Sequence, residues 1–279
     1  MAQVTLREIL DLDIEKGAIG AFNVHNLEFI QGVILAAERE QAPVVMMINE
    51  AVLKYGQIPI LGGAAVAAAR HACVPVAVMV DHGTDGEFLE EALRFGLDVM
   101  FDGSALSFEK NIARTKRMAD YAHALGRSLE GEIGALGFSE DGEEAREQKI
   151  TTVKEAVIFA EKSGVDVLAV SVGNVHGFYR GTPHIRVDRI AEIHQKVQPI
   201  PIVMHGGSDI PDEIIQASIR AGIRKFNIAT DLKFAYAKQM KELLSREPMP
   251  IQPLQIFPTA AEAVAKIAQE KIKKFRLEV

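Results

Sequence analysis

The sequence predicts an α/β fold of the (β/α)8, or TIM-barrel, type, formed as a single domain over residues 1–279 with extra helices at both ends. Short apolar runs alternate with segments of helical periodicity, and this alternation is typical of a parallel sheet covered by helices. About eight such units follow one another without a linker or low-complexity break, which favours a closed barrel. An open doubly wound sheet is the alternative, but no Gly-x-Gly-x-x-Gly follows the first strand, which argues against a dinucleotide-binding version.

Each predicted element rests on its local pattern. Apolar runs rich in Val and Ile predict strands buried on both faces, at 19–24, 43–48, 76–80, 98–102, 128–133, 167–172, 200–204 and 225–228. Apolar residues at intervals of three and four predict helices at 5–16, 27–41, 58–72, 86–95, 107–125, 152–163, 187–197, 212–221, 230–244 and 259–275. The segment 134–150 has no buried face, so we expect a mobile loop there.

Composition excludes several classes of protein. A formal net charge of −7 leaves no electrostatic footprint for nucleic acid. The single cysteine, Cys73, rules out a disulfide framework and is typical of a reducing cytosol. The charged N-terminus does not resemble a signal peptide, and no apolar run reaches the length of a membrane span. We therefore expect a cytoplasmic enzyme with neither a membrane nor a nucleic-acid partner.

Three predicted strands end in a histidine beside a glycine. They lead into Asp81-His82-Gly83, into His176-Gly177 and into His205-Gly206. Because the carboxyl ends of barrel strands meet at one mouth, we expect the three imidazoles to converge. A neutral ring in an apolar setting needs a partner, and one shared Zn²⁺ would serve all three while leaving a coordination position open. The sequence therefore predicts a metal site.

Other candidate residues are open to more than one interpretation. Asp102 and Glu132 end neighbouring strands, where they would support the metal ligands, form an alternative metal position, or only make salt bridges at the barrel rim. His25 falls in a loop at the predicted mouth, so contact with a substrate is as reasonable as a structural role. The same holds for His184. Histidines inside predicted helices are expected to be ordinary helix-face residues; these are His71, His123 and His194.

Two turns at the same rim predict a phosphate site. They are Gly206-Gly207-Ser208 and Asn227-Ile228-Ala229-Thr230, the second of which opens a helix. Loops after the seventh and eighth strands of such barrels frequently bind phosphate, together with a helix N-terminus. Backbone N–H groups of Gly207 and Ser208 and the hydroxyls of Ser208 and Thr230 suit a dianion. Gly177, Gly181 and the cation of Arg180 are expected on the opposite side.

Taken in order, these motifs resemble the class II, metal-dependent ketose-bisphosphate aldolase family over nearly the whole chain. The similar segments are Phe22-Asn23-Val24, Ala42-Pro43-Val44-Val45, Val80-Asp81-His82-Gly83, Asp102-Gly103-Ser104, Asn111-Ile112-Ala113-x-Thr115-Lys116, Glu130-Gly131-Glu132-Ile133-Gly134, Gly173-Asn174-Val175-His176-Gly177, His205-Gly206-Gly207-Ser208 and Asn227-Ile228-Ala229-Thr230. The resemblance implies a phosphorylated ketose as substrate, with dihydroxyacetone phosphate and an aldehyde as products. It also implies a homodimer or homotetramer.

The resemblance assigns roles to individual residues. It implies Zn²⁺, replaceable by Co²⁺ or Mn²⁺, on His82, His176 and His205. Asp81 would act as acid/base on the C4 hydroxyl, and Glu140 of the mobile loop would move the proton on C3. Asn227 would contact the substrate near the scissile bond. The phosphate of the dihydroxyacetone phosphate portion would be held beside a Na⁺ or K⁺ by Gly177, Gly206, Ser208 and Thr230; Asn23 and Asn49 are further candidate substrate contacts.

The chemistry agrees with these assignments. Cleavage of a carbon–carbon bond next to a carbonyl leaves an enediolate, and a Lewis-acidic metal stabilises that charge where it develops. A Schiff-base lysine is the other known solution, but the predicted strand 167–172 carries no lysine. Lys225 starts the last predicted strand, so we expect it at the bottom of the barrel, away from the chemistry.

Departures from the family pattern leave open which ketose phosphate is the substrate. Ala229 stands where fructose-bisphosphate members often have Asp, which resembles the tagatose-bisphosphate branch. Asn49 replaces a usual Ser or Thr, Phe138 interrupts a usual Gly-Gly, and 258–262 lacks an Arg often found there. Two other functions are alternatives. A metal-dependent hydrolase would suit three histidines, but the first strand lacks the common His-x-His pair; a non-catalytic sugar-phosphate-binding barrel would not need so complete a set of acids and histidines.

Overall fold

A computed structural model describes residues 3–12, 17–135, 137–138, 149–179 and 181–277. Eight parallel strands close into a barrel in the hydrogen-bonded order β1-β2-β3-β4-β5-β7-β9-β10, and β10 pairs back with β1. The barrel strands are β1 (Ile19–Asn23), β2 (Val44–Asn49), β3 (Val76–Gly83), β4 (Asp98–Phe101), β5 (Leu129–Ile133), β7 (Val167–Val170), β9 (Ile202–Met204) and β10 (Ile223–Ile228). The predicted TIM-barrel fold is thereby confirmed.

One helix, α1, precedes the barrel strands, and the other helices of the described residues follow strands and cover the outside of the barrel. They are α1 (Leu6–Asp11), α2 (Leu27–Glu40), α3 (Glu50–Gly56), α4 (Gly63–His71), α5 (Gly86–Phe95), α6 (Phe108–Ala124), α7 (Val153–Ser163), α8 (Val187–Val197), α9 (Asp212–Ala221), α10 (Thr230–Leu244) and α11 (Pro253–Lys274). The last helix starts earlier than predicted and contains Pro258. A π-helix at Gln57–Gly62 joins α3 to α4.

Two buried clusters hold the barrel together. One lies between the strands and the surrounding helices, and the other contains the alternate strand residues that point inward, such as Met47, Met79 and Met100. Helix α1 adds Leu6 and Ile9, both fully buried, to the inner cluster. Because both faces of the strands are buried, most strand residues are apolar, and many of the polar exceptions lie in or near the site.

The short helix α1 is fixed at the start of β4. A capping box between Thr5 and Glu8 begins the helix, and the backbone N–H of Leu6 donates to the carboxylate of Asp98. The predicted helix 5–16 was too long, since α1 ends at Asp11; residues 13–16 lie outside the described part of the chain.

The continuous helical stretch Glu50–His71 is long and apolar enough to cross a membrane by length and composition alone. Such a match is weak evidence, because core helices of soluble proteins pass the same test. Here the stretch packs its apolar face on the barrel, burying residues such as Leu53, Ile58, Ala65 and Ala69.

A small second sheet lies beyond the barrel. It pairs β6 (Gly137–Phe138) in parallel with β8 (Val175–His176). Part of the segment predicted as a loop therefore forms a strand, and its partner strand carries one of the three candidate metal ligands.

Candidate metal centre and active site

The three strand-end histidines converge as predicted. His82 lies at the end of β3, His176 on β8 and His205 directly after β9. One ring nitrogen from each lies within 4.8 Å of the others. His82 adopts φ 50°, a left-handed conformation that is uncommon for a residue with a side chain, and the register of β3 against β4 shifts at the same place. Local backbone strain therefore helps to place the first of these rings.

Carboxylates determine which ring nitrogen can bind a metal. Nδ1 of His82 lies 2.9 Å from Asp102, and Nε2 of His205 lies 2.9 Å from Glu130. Because an ionised carboxylate only accepts hydrogen bonds, each of these nitrogens carries the proton. The opposite nitrogens, Nε2 of His82 and Nδ1 of His205, are therefore the ones that a metal can bind. This is the arrangement in which a histidine binds a metal while its other nitrogen donates to a carboxylate.

Two buried atoms without hydrogen-bond partners lie at the centre of the group. Nδ1 of His205 and Oε2 of Glu132 are 3.3 Å apart, and neither has a hydrogen-bond partner. Unsatisfied polar atoms in a protein interior are costly, so this pair marks a place where a bound cation fits. Oxygen or nitrogen atoms of His82, Asp102 and Glu132 also lie within 4.8 Å of one another, which offers a second arrangement of ligands.

The charges of the site also suit a dication. Burial disfavours the charged form of His176, and the nearby His82 and His205 lower its pKa further, well below the usual value. That ring is therefore neutral and able to bind a metal. Burial also opposes protonation of His82, but Asp81 and the acids beside it raise its pKa to about 10. A metal ion bound between these groups would take the place of that proton.

A buried chain of charges supports His205 from below. The carboxylate of Glu130 contacts Nε2 of His205 through one oxygen and accepts from Nζ of Lys225, 2.6 Å away, through the other. The side chains of Glu130 and Lys225 have no exposed surface. Our expectation that Lys225 lies away from the chemistry is therefore wrong. Its ammonium group is separated from a candidate metal ligand by a single carboxylate.

Two amides orient Asp81 at the opening of the barrel. Nδ2 of Asn23 donates to one carboxylate oxygen at 2.8 Å, and Nδ2 of Asn227 donates to the other at 3.4 Å. Burial raises the pKa of Asp81, but the charges of His82 and His205, with the bond from Asn23, bring it below the usual value. Asp81 is therefore an ionised carboxylate held in one orientation beside the histidines.

A cavity of about 260 Å³ opens over these groups. Most of the predicted site residues line it, together with His25, for which the sequence left contact with a substrate open, and with Val52 and Lys233, which the sequence did not assign. The predicted residues that line it are Asn23, Asn49, Asp81, His82, His176, Gly177, Gly206, Ser208, Asn227, Ala229 and Thr230. The structure thus brings together side chains from the ends of most barrel strands.

Some predicted residues are placed elsewhere. The N–H of Gly207 donates to the carbonyl of Asn227 at 2.9 Å, so our expectation that this N–H faces a phosphate is wrong. Gly181 is not among the residues that line the cavity. Glu140 and Arg180 lie outside the described residues.

Gly206 is required by the backbone of the same turn. It adopts φ 63°, and a Cβ atom built on it would lie 1.9 Å from the carbonyl oxygen of Val175. No larger residue fits there without movement of the backbone. The close approach joins the loop after β9 to β8, and it thereby fixes His205 and His176 relative to each other.

Glu130 and Lys225 were missed by sequence reasoning although a signal existed. Each lies two residues before a predicted site residue on the same strand, Glu130 before Glu132 and Lys225 before Asn227. Since alternate residues of a strand point to the same face, both had to point into the barrel. A charged residue in that position requires a partner of opposite charge.

Known proteins resemble this chain over its full length. The family model described as fructose-bisphosphate aldolase class-II matches residues 4–278. A sulfofructosephosphate aldolase from Alkalicoccus urumqiensis is 38% identical over 279 residues, covering 99% of this chain and 97% of that protein. A fructose-bisphosphate aldolase from Thermus caldophilus is 36% identical, and the match covers 98% of this chain and 97% of that protein.

Solved structures agree with the sequence relatives. The crystal structure of the YdjI aldolase from Escherichia coli K12 superposes with a TM-score of 0.84 at 32% identity, covering 98% of this chain and 97% of that one. A match of the family model over nearly the whole chain, with relatives above 30% identity, shows the family. The chain therefore belongs to the class II fructose-bisphosphate aldolase family, and it is an enzyme of the lyase class.

Proposed function

We propose that this enzyme catalyses the reversible, Zn²⁺-dependent aldol cleavage of a ketose 1,6-bisphosphate, or of a related ketose 1-phosphate, to dihydroxyacetone phosphate and an aldehyde. One observation carries the proposal: three histidines, each with a ring nitrogen within 4.8 Å of the others, lie beside Asp81, a carboxylate held by two amides. We take the whole chain, 1–279, as the catalytic domain. A cytoplasmic location and a homodimer or homotetramer belong to the same proposal.

His82, His176 and His205 would hold the metal, which supplies Lewis-acid stabilisation of the enediolate. Asp102 and Glu130 keep the protons of His82 and His205 on the nitrogens that face away from the metal. Co²⁺ or Mn²⁺ would substitute for zinc, because imidazole nitrogen suits these metals as well.

Asp81 accepts the proton of the C4 hydroxyl as the bond between C3 and C4 breaks. Its two oxygens are held by Asn23 and Asn227, so the carboxylate keeps its orientation while the charge moves. Since hydrogen bonds and neighbouring charges keep its pKa low, Asp81 is ready to act as a base at neutral pH. Glu140 would move the proton on C3, as the resemblance implies.

The phosphate of dihydroxyacetone phosphate would bind on the side of the cavity formed by the loops after β8, β9 and β10. Gly177 and Gly206 allow the backbone to approach it, and Ser208 and Thr230 offer hydroxyl groups. Thr230 is the first residue of α10, so the positive end of the helix dipole also faces this side. A monovalent cation, Na⁺ or K⁺, would accompany the dianion.

Two classes of ketose are candidates for the substrate, and they differ at the end far from the dihydroxyacetone phosphate portion. Ala229 stands where fructose-specific members of the family often carry an acid, and this difference favours a tagatose-type bisphosphate as substrate. The relative from Alkalicoccus urumqiensis is named for sulfofructose phosphate, and this makes a ketose 1-phosphate with a sulfonate at C6 the second candidate. Both substrates carry an anion at each end.

A substrate panel tests the proposal directly. The zinc-loaded enzyme would be incubated with fructose and tagatose 1,6-bisphosphates, the matching 1-phosphates and 6-deoxy-6-sulfofructose 1-phosphate, with coupled detection of dihydroxyacetone phosphate. We expect cleavage of at least one, and no inactivation by borohydride in the presence of substrate. Release of inorganic phosphate without dihydroxyacetone phosphate would instead identify a hydrolase. If the enzyme turned over none of these substrates, the result would favour a non-catalytic sugar-phosphate-binding protein.

A further inference from the structure

His176 is the one of the three candidate metal ligands that the barrel sheet does not hold. His82 ends β3 and His205 follows β9, and both strands belong to the closed barrel. His176 lies instead on β8, which pairs with β6 in the small separate sheet. The hydrogen bonds of the barrel therefore do not set the position of His176 relative to the other two rings, and other contacts have to do so.

The three rings nevertheless have a regular arrangement. The ring centroid of His82 lies 4.9 Å from that of His176 and 4.8 Å from that of His205, and both contacts are edge-on. The rings of His176 and His205 are 6.1 Å apart and nearly parallel, with 17° between their planes. Because nitrogen ligands bind a metal only at about 2.0–2.1 Å for zinc, the backbones that carry these two rings need a fixed separation.

Asn174 joins the segment before His176 to the backbone of His205. It is fully buried, its Nδ2 donates to the carbonyl oxygen of His205 at 2.9 Å, and its Oδ1 accepts from the N–H of Val172 at 2.8 Å. One amide thereby connects the chain that leaves β7, the turn that leads to His176 and the backbone of a second candidate ligand. The proposed chemistry gives this asparagine no other role.

The phenol of Tyr179 makes a second connection between the same two segments. Its oxygen accepts from the N–H of Val175 and donates to the carbonyl oxygen of Gly206, both at 3.3 Å. Val175 directly precedes His176, and Gly206 directly follows His205. Burial raises the pKa of Tyr179 to about 12, so the hydroxyl keeps the proton that it donates.

Tyr179 is itself fixed at both ends. Its backbone N–H donates to Oδ2 of Asp209 at 3.3 Å, in the loop after β9, and its ring packs against the outer apolar cluster. A side chain held at its backbone and along its ring has little freedom to move. The two hydrogen bonds of the hydroxyl therefore keep the neighbouring backbones at one separation.

We infer that Asn174 and Tyr179 are positioning residues for the metal centre, because they set the separation of His176 and His205. This inference rests on the proposed metal-dependent function, and it holds whichever ketose is the substrate. The cavity wall includes neither residue, so both act through the two histidines and not through contact with the substrate. Side-chain hydrogen bonds thus do for His176 what the barrel sheet does for the other two ligands.

Two substitutions and a matched control test the inference. Tyr179→Phe removes only the hydroxyl, and Asn174→Ala removes both hydrogen bonds of the amide. Tyr121→Phe is the control, since its hydroxyl accepts from Arg94 between two outer helices, α5 and α6.

Three measurements on the full chain separate positioning from folding. Competition with a chromophoric chelator gives the affinity of each protein for Zn²⁺. The visible absorption of the protein saturated with Co²⁺ reports the number and geometry of the metal ligands. Thermal unfolding of the metal-free protein gives the contribution of each side chain to the fold.

We expect Tyr179→Phe to weaken Zn²⁺ binding roughly 2- to 10-fold, the effect of one net hydrogen bond. Asn174→Ala should weaken it roughly 10- to 100-fold, as for other residues behind a metal ligand. Both variants should also change the Co²⁺ spectrum at saturation, because the angle between His176 and His205 is no longer fixed. Tyr121→Phe should match the wild type in affinity and in spectrum.

Wild-type affinity together with a wild-type Co²⁺ spectrum would overturn the inference for the residue that was changed. Lower stability of the metal-free variant with a wild-type spectrum would overturn it too, since the residue would then serve only the fold. If Asn174→Ala does not fold, Tyr179→Phe decides the matter. A wild type that binds neither Zn²⁺ nor Co²⁺ would refute the proposed metal site itself, which is a different failure from a variant that binds normally.

Discussion

At the scale of single residues, the candidate metal ligands are distinct from the proposed acid/base. One ring nitrogen of each of the three histidines lies within 4.8 Å of the others, and carboxylates contact the opposite nitrogens of His82 and His205. Asp81 stands beside this group and is oriented by amides, not by a cation. Because an amide cannot compete for the proton, Asp81 remains able to exchange one with a substrate hydroxyl.

The two proposed proton carriers should be separable by kinetics. Asp81→Ala should lower ketose cleavage roughly 10²- to 10⁴-fold, as loss of an acid/base group does. It should keep much of the exchange of the C3 proton of dihydroxyacetone phosphate with deuterium, because that exchange involves no C4 hydroxyl. Glu140→Ala should slow the exchange even without an aldehyde. NMR measurement of deuterium incorporation distinguishes the two variants. If Asp81→Ala lost the exchange and Glu140→Ala kept it, the roles of the two carboxylates would be reversed.

Lys225 should act on metal affinity through Glu130 and His205. Lys225→Met leaves Glu130 buried with one partner fewer, and the orientation of His205 weakens. We expect metal affinity to fall roughly 10- to 100-fold, as for other residues behind a metal ligand. Competition with a chromophoric chelator measures this without any assay of activity.

The double variant Lys225→Met/Glu130→Gln is the control for the buried charge. It removes the unpaired carboxylate but leaves an amide oxygen that can accept from His205. Stability should recover in this variant, while metal affinity should stay below that of the wild type. Wild-type affinity in Lys225→Met would show that the lysine has only a structural role.

At the scale of elements, the helix before the barrel closes one end of the inner core. Leu6 and Ile9 of α1 are fully buried among inward-facing strand residues. The helix has only six residues, too few to be stable alone, so tertiary packing and the bond from Leu6 to Asp98 hold it. The proposed catalytic residues lie at the carboxyl ends of the strands, where α1 does not reach.

Ile9→Ala should therefore reduce stability and spare catalysis. Loss of the buried side chain should lower the free energy of unfolding by about 2–5 kcal/mol. Denaturant unfolding of the metal-loaded protein measures the loss, and kcat/KM under native conditions should change by less than about twofold. Asp11→Ala, on the exposed side of the same helix, should change stability by less than about 0.5 kcal/mol. A strong effect of Ile9→Ala on kcat/KM would connect α1 to the site.

At the scale of the whole molecule, the candidate metal ligands lie apart from most of the apolar core. The two apolar clusters contain the great majority of the buried residues, whereas the candidate ligands occupy only the mouth. Metal removal should therefore abolish activity and leave the fold intact. Circular dichroism should show unchanged secondary structure after chelation, and Zn²⁺ should restore cleavage. Activity that survives complete metal removal would contradict the proposed mechanism.

Zinc should also raise the stability of the folded protein, because the ligands converge only there. At a free zinc concentration 1,000 times Kd, the added stability would be about 4 kcal/mol. His82→Ala, His176→Ala and His205→Ala should each still fold and should each lose most of this increase. Thermal unfolding with and without zinc provides the measurement, combined with metal analysis of the purified variants. Normal zinc content in all three would show that the site is elsewhere.

The fold and the metal ligands could be predicted because their signals are local in the sequence. Alternating apolar runs and helical patterns already required a parallel barrel, whose strands all end at one mouth. A histidine beside a glycine after three of those strands then required three imidazoles to meet. No knowledge of side-chain contacts was needed for either step.

The tertiary structure alone decided which groups support those ligands. Lys225 and Glu130 are 95 residues apart and meet inside the barrel, and Gly207 gives its N–H to Asn227 instead of to a ligand. Lys233 comes near His25 because β10 closes the barrel against β1. Such contacts depend on which strands are neighbours and in what register, and barrel closure sets both. The sequence by itself therefore determined the fold and the three candidate metal ligands, and the closed barrel decided which distant charges stand behind them.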